Sequence, residues 1–232
     1  MIDISTFKNI HHADRCFILG SGPSIANQDL APLKNEITFC SNWFFNHDKF
    51  SQLNINYYCA YDPGFVQPAV NEYWKTQINR DNLQVFFPNE WATLDIVPSA
   101  CFLPYKPEVK VYESDTFSFN AAAALYDAGS VIVNFCLPLA FYMGFKEIIL
   151  LGVETNYGIA DGGDANAGYF YDASKQLVNN LHNARSERIW ARNLLTSYKV
   201  VGREADKLGI QIRNATPGGN LNTFERVSLS EL

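Results

Sequence analysis

The chain has 232 residues, of which 47% are hydrophobic and only 18% charged, with a formal net charge of −6. That length suits one large domain or two small ones, and the apolar fraction is ample for a core. The acidic balance excludes a general nucleic-acid binder, which needs a basic face against the phosphates.

Residues 1–14 are polar, with His11 and His12 side by side. Adjacent histidines point different ways, so they predict a surface segment rather than a shared metal. The segment lacks the basic region and apolar run of a signal peptide, and no apolar stretch in the chain is long enough to span a membrane. A cytoplasmic protein is expected, with a peripheral membrane contact still open. Cys16, Cys40, Cys59, Cys101 and Cys136 all lie in apolar runs and form no C-x-x-C. They predict reduced core thiols and no zinc site.

Cys16 to Leu19 is a short apolar run that enters Gly20-Ser21-Gly22-Pro23-Ser24. This predicts a buried parallel strand, a glycine turn and a helix over Ser24 to Leu33 with Pro23 in its first turn. Such a turn brings backbone close to a ligand, most naturally a phosphate. It is neither G-x-G-x-x-G nor a P-loop.

Glu36 to Asn42 predicts a second strand, with Asn42 at its end able to donate and accept. Asn56 to Ala60 predicts a third, closed by Asp62-Pro63-Gly64, so that Asp62 lies at the carboxyl edge where such sheets hold their sites. Phe65 to Asn79 has helical length. Leu83–Pro88, Ala100–Leu103 and Val109–Tyr112 predict strands. Val131 to Phe145 predicts a buried helix kinked at Pro138 and ended by Gly144.

Lys146 to Glu154 is the clearest strand of the second half, running through Gly152 to a carboxylate. A long Gly-, Asn-, Asp- and Tyr-rich loop follows, with a lid expected over 155–190. Its Asp161–Asn166 lacks the ligand spacing of a calcium loop. Ala191 to Leu208 predicts an amphipathic helix and Ile210–Asn214 a last strand, followed by the turn Ala215–Gly219. Alternating strands and helices predict a single α/β domain over 1–232, Rossmann-like, with an open, mostly parallel sheet and helices on both faces. The 12 Tyr and 17 Phe suit an aromatic-lined cleft or an oligomer.

The motifs Ile18–Ser24, Cys40-Ser41-Asn42, Gly144–Glu154 and Asn214–Leu221 with Phe224–Val227 together resemble the family 42 sialyltransferases and the related 6-hydroxymethylpterin diphosphokinase-like domains of bacterial surface-glycan contexts. The first resemblance implies a glycosyltransferase that takes a nucleotide-activated sugar, such as a CMP-nonulosonic acid, and a glycan acceptor, with no metal. Gly20, Ser21, Gly22, Pro23, Ser24, Asn42, Asp62, Gly152, Glu154, Asn156 and Tyr157 would bind the nucleotide. His182, Asp62 and Tyr169 are the catalytic candidates, with His182 as base on the acceptor and a tyrosine beside the departing phosphate. The second resemblance implies a phosphotransferase using magnesium and ATP, with Asp62 and Glu154 as the carboxylate pair. A non-catalytic nucleotide-binding module is the third reading. Ser21 stands where the sialyltransferases have asparagine, and Asp62 likewise.

Overall fold

The structure, a computed structural model, describes residues 2–66, 68–94, 96–156, 168–171 and 184–232. Its strands are β1 (Arg15–Leu19), β2 (Ile37–Ser41), β3 (Tyr57–Cys59), β4 (Gln84–Pro88), β5 (Cys101–Leu103), β6 (Tyr105–Lys110), β7 (Leu125–Asp127), β8 (Glu147–Leu151), β9 (Gln211–Asn214) and β10 (Glu225–Arg226). Eight of them form one sheet in the order β5-β4-β3-β2-β1-β8-β9-β10, parallel throughout, while β6 and β7 make a separate parallel pair.

The last four residues of β1, β2, β4 and β8 are all buried. Both faces of the sheet are covered, so these strands read as unbroken apolar runs. Odd and even positions still part company. Cys16, Ile18, Phe39, Ile148 and Leu150 face one core with Phe135, Leu139 and Tyr198. Phe17, Leu19, Cys40, Ile149 and Leu151 face the other with Leu30, Leu33 and Trp74. Trp74, from helix α1 (Pro68–Ile78), is fully buried and stacks on Phe65 at 4.7 Å. Its indole N–H donates to the Tyr58 hydroxyl at 2.9 Å, so the burial leaves no orphan donor.

Four expected elements differ. Ser24–Leu33 is not an α-helix but two 3-10 turns, Pro23–Asn27 and Ala31–Asn35. Gln28 is extended between them, and the Asp29 carboxylate accepts the Ala31 N–H at 3.0 Å to restart the chain. Pro32 would clash inside a continuous helix, which accounts for the break. The strand expected over Val109–Tyr112 ends at Lys110. Val111–Ser114 is instead one helical turn, α2, stopped by Asp115 in the left-handed region.

The kinked helix over Val131–Phe145 is a π-turn, Ile132–Cys136, running into α3 (Leu137–Met143), which Gly144 caps at φ 95°. Pro138 falls at the junction, where its missing N–H coincides with the widened turn. The long helix α4 (Ala184–Lys207) begins at Ala184 rather than Ala191. No helix among the described residues is long and apolar enough to cross a membrane.

The order of strands places the site. From β1 the chain winds outward through β2 to β5, whereas β8 pairs with the other edge of β1. The direction reverses between β1 and β8, and ligands of open α/β sheets bind beyond the strand ends at that point.

Candidate functional site

Two glycine turns interlock beyond the ends of β1 and β8. The Gly20 N–H donates to the Leu151 carbonyl at 2.7 Å and the Gly22 N–H to the Gly152 carbonyl at 2.8 Å. Gly152 has φ +65°, and a side chain there would meet the Gly20 carbonyl at 2.9 Å. The backbones touch, so neither turn tolerates a Cβ at its contact. Ile132, from the π-turn, reaches over Gly20 as a third wall.

Glu154 then turns back into this junction. It is only 5% exposed, and its Oε1 accepts the Ser24 N–H at 2.6 Å. Its Oε2 fills the position that a Gly22 side chain would need. Oε2 and the Ser24 hydroxyl are both buried without a hydrogen-bond partner. The segment after β9 fixes the acid from behind. The Asn220 N–H donates to the Glu154 carbonyl at 2.7 Å, and the Thr216 hydroxyl accepts the Val153 N–H at 3.0 Å. Arg226 in turn donates to the carbonyls of Thr216, Gly218 and Gly219. Thr216, Asn220 and Arg226 were not singled out from sequence, although Ala215-Thr216-Pro217-Gly218-Gly219 after a strand was a signal for a carboxyl-edge loop.

Asn42 and Asp62 lie at the carboxyl ends of β2 and β3, as expected, and both carry structural bonds. The Asn42 side-chain oxygen accepts the Tyr61 N–H at 3.0 Å, and its carbonyl accepts the Tyr58 hydroxyl at 2.6 Å. One Asp62 oxygen accepts from the Trp43 indole at 2.7 Å and the other from the Gly64 N–H at 2.8 Å. These bonds lock the two strand ends together and hold Tyr61 in place.

Tyr61 heads a largely buried aromatic cluster that the sequence reading did not identify. Its ring lies 4.9 Å from Tyr105, 6.0 Å from Trp91 and 6.1 Å from Phe135. Burial raises the Tyr61 hydroxyl above its ordinary pKa, and the Glu90 and Asp127 carboxylates push the same way. Burial raises Tyr105 further, with Asp127 next in effect. The Tyr105 oxygen accepts from Asn134 at 3.2 Å, and Lys110 pairs with Asp127 at 2.5 Å, which raises the lysine's pKa. The π-turn joins the two places, with Ile132 over the glycine turn and Asn134 and Phe135 packed into the aromatic cluster.

Of the remaining candidates, Tyr169 stacks on Tyr171 at 5.1 Å, and the Phe170 N–H between them donates to the Ser21 carbonyl at 3.0 Å. The 168–171 segment thus abuts the glycine turn. Asn156 is half-buried just beyond Glu154. Tyr157, His182 and most of the 155–190 lid lie outside the described residues. Among the described residues no group of three or more His, Cys, Asp or Glu side chains is placed to hold a metal ion.

The chain is similar to the solved structure of a MAf glycosyltransferase from Magnetospirillum magneticum AMB-1, with a TM-score of 0.59 and 16% identity. The match covers 99% of this chain but 38% of that one, so the chain spans well under half of that protein. It is also similar to the sialyltransferase CST-II, solved with a trisaccharide acceptor and CMP, at a TM-score of 0.54 and 16% identity over 92% of this chain and 86% of that one. These likenesses establish a shared α/β fold. No protein-family model matches the chain, and no curated protein sequence does.

Proposed function

We propose that the chain is the nucleotide-sugar-binding domain of a glycosyltransferase, with a CMP-linked nonulosonic acid as donor and a surface glycan as acceptor. The observation that carries this reading is the pair of interlocked turns, Gly20–Ser24 and Gly152–Glu154, at the reversal point of a sheet whose fold is shared with CST-II. The nucleotide lies against these turns, with Asn156 on the β8 side and Tyr157 assigned to it from sequence. The partly exposed Tyr61, beside the Glu90 and Asp127 carboxylates, receives the acceptor sugar. Aromatic faces cover the apolar side of a pyranose, and carboxylates accept its hydroxyl protons. His182 is assigned as base on the acceptor hydroxyl and Tyr169 as the group beside the departing phosphate, both from sequence. Asn42 and Asp62 support the site by fixing Tyr61 and the β3 end.

The magnesium-ATP reading gains nothing from the geometry. Asp62 spends both oxygens on Trp43 and Gly64, and Glu154 spends one on Ser24. Thermal-shift titration with CMP, CDP, UDP, GDP and magnesium-ATP tests the proposal. A ligand at a hundredfold its Kd stabilises by about 2.7 kcal/mol, which in a chain of this size raises Tm by roughly 5–10 °C. CMP without metal is expected to do so. A response to magnesium-ATP alone would refute the reading. His182→Ala should abolish transfer while leaving CMP binding intact.

A further inference from the structure

In sequence the glycine turn has the form of a phosphate cradle, but its backbone donors are already taken. The N–H groups of Gly20, Gly22 and Ile25 go to the carbonyls of Leu151, Gly152 and Gly22, and that of Ser24 goes to Glu154. Pro23 has none. Across residues 20–25 only the Ser21 N–H has no acceptor among the described residues. A cradle works by converging several free N–H groups on phosphate oxygens, and one is too few. A carboxylate also already lies against the turn, almost fully buried. A phosphate placed there would face a like charge where water screens it poorly.

The same arrangement suits a hydroxyl donor. An ionised carboxylate is purely an acceptor, with about four lone-pair sites across its two oxygens. Glu154 uses Oε1 for the Ser24 N–H, while Oε2 and the adjacent Ser24 hydroxyl are buried without partners. The acid's backbone is pinned by Asn220, so the side chain has a fixed origin. Oε2 lies beneath Gly22, so a hydroxyl reaches it only when the side chain turns, and a turn about its broad terminal torsion moves Oε1 off the Ser24 N–H at the same time.

We infer that Glu154 and Ser24 hold the vicinal hydroxyls of the nucleotide's ribose, and that the phosphate points away from the glycine turn. This rests on the nucleotide reading above and assigns the ribose, and not the phosphate, to this wall. Glu154 is then a specificity residue that distinguishes ribose from deoxyribose.

Calorimetric titration of the full chain with CMP, 2′-deoxy-CMP and inorganic pyrophosphate tests it. The deoxy compound should bind about tenfold or more weakly, the loss typical of a hydrogen bond to a charged acceptor. Pyrophosphate should not compete with CMP. In Glu154→Gln the difference between CMP and 2′-deoxy-CMP should shrink to about threefold, because the charge that roughly doubles the bond's strength is gone. Equal binding of the two nucleotides by the unmodified chain overturns the inference with no variant needed. If neither nucleotide binds, the underlying nucleotide reading has failed, and this inference falls with it.

Discussion

Adding one carbon at Gly22 brings the glycine turn into conflict with Glu154. An alanine Cβ there would coincide with Glu154 Oε2, lie 2.5 Å from its Cδ, and lie 2.7 Å from the Gly152 carbonyl oxygen. The carboxylate must leave, which breaks its bond to the Ser24 N–H. Overpacking of this kind costs about 1–3 kcal/mol, and a lost hydrogen bond to a charged group about 1.5–3. Gly22→Ala should therefore destabilise by roughly 3–5 kcal/mol, or lower Tm by roughly 6–20 °C. Glu154→Ala alone should cost about 2–4 kcal/mol, from the unpaired Ser24 N–H and the space left behind. The double variant is the decisive measurement. With the carboxylate absent, alanine at 22 still meets the Gly152 backbone carbonyl at 2.7 Å, and should add about 1–3 kcal/mol. Urea unfolding of the four proteins, with m-values compared to check two-state behaviour, should give a coupling of about 1.5–3 kcal/mol, the Ser24 bond that both single variants lose. Additivity within about 0.5 kcal/mol would refute the reasoning, because uncoupled sites add to that level. A bulkier change such as Gly22→Val would abolish nucleotide binding whichever role the turn has, and so decides nothing.

Three further outcomes follow from other contacts. Asp62→Ala should strand the indole N–H of Trp43, which is 5% exposed, at a cost of about 1–3 kcal/mol, read as lower Tm with a shift in tryptophan emission. Asp62→Asn, which keeps an acceptor, should lose less. Arg226→Lys replaces a planar fork that serves several carbonyls of the 216–221 loop with a single ammonium. Hydrogen exchange should quicken at Asn220 and Val153, and unchanged exchange there would dismiss Arg226 as a clamp. His11 stacks on Phe145 at 4.6 Å and its Nε2 meets the Tyr57 hydroxyl at 2.5 Å. Burial lowers its pKa, against a smaller opposing effect of Asp14. The unfolded chain then takes up a proton more readily than the folded one. Stability at His11 is present above the ordinary imidazole pKa of about 6.5 and is lost as pH falls through it toward the folded value. His11→Gln should flatten that limb of the Tm–pH curve.

The parts of the fold legible in the sequence are those that local chemistry decides. Cys16–Leu19 and Ile148–Leu151 are unbroken apolar runs because helices cover both faces of the sheet, and that pattern belongs to parallel strands. Gly144 ends its helix for a local reason as well. The π-turn was not legible, since its cause is a junction at Pro138 together with Asn134, a polar residue buried to satisfy the Ala128 N–H and Tyr105. A lone asparagine within Val131–Phe145 was the available clue, and Pro32 was the clue against a helix over Ser24–Leu33. Adjacency is non-local: that β8 lies beside β1 and that β10 exists at all depend on pairings far apart in the chain. The aromatic cluster around Tyr61 was missed for the same reason, being assembled from the ends of β3, β4, β6 and β7.

The glycines make the limit sharpest. A glycine in sequence says that something must come close to the backbone, but not what. At Gly20 and Gly152 it is the opposite turn, and at Gly22 it is the carboxylate of Glu154. The sequence places Gly22 and Glu154 in the same site without revealing that one exists to accommodate the other. Once they are read as a pair, the chemistry of that wall changes sign. Glycine with free N–H groups attracts an anion, whereas glycine that shelters a carboxylate offers an acceptor for a neutral donor. A chain that kept Gly20-Ser21-Gly22 but replaced Glu154 with an apolar residue would free the Ser24 N–H and remove the negative charge, and the turn would again suit phosphate. The identity of residue 154, more than the glycines before it, therefore sets which part of a nucleotide this wall can hold.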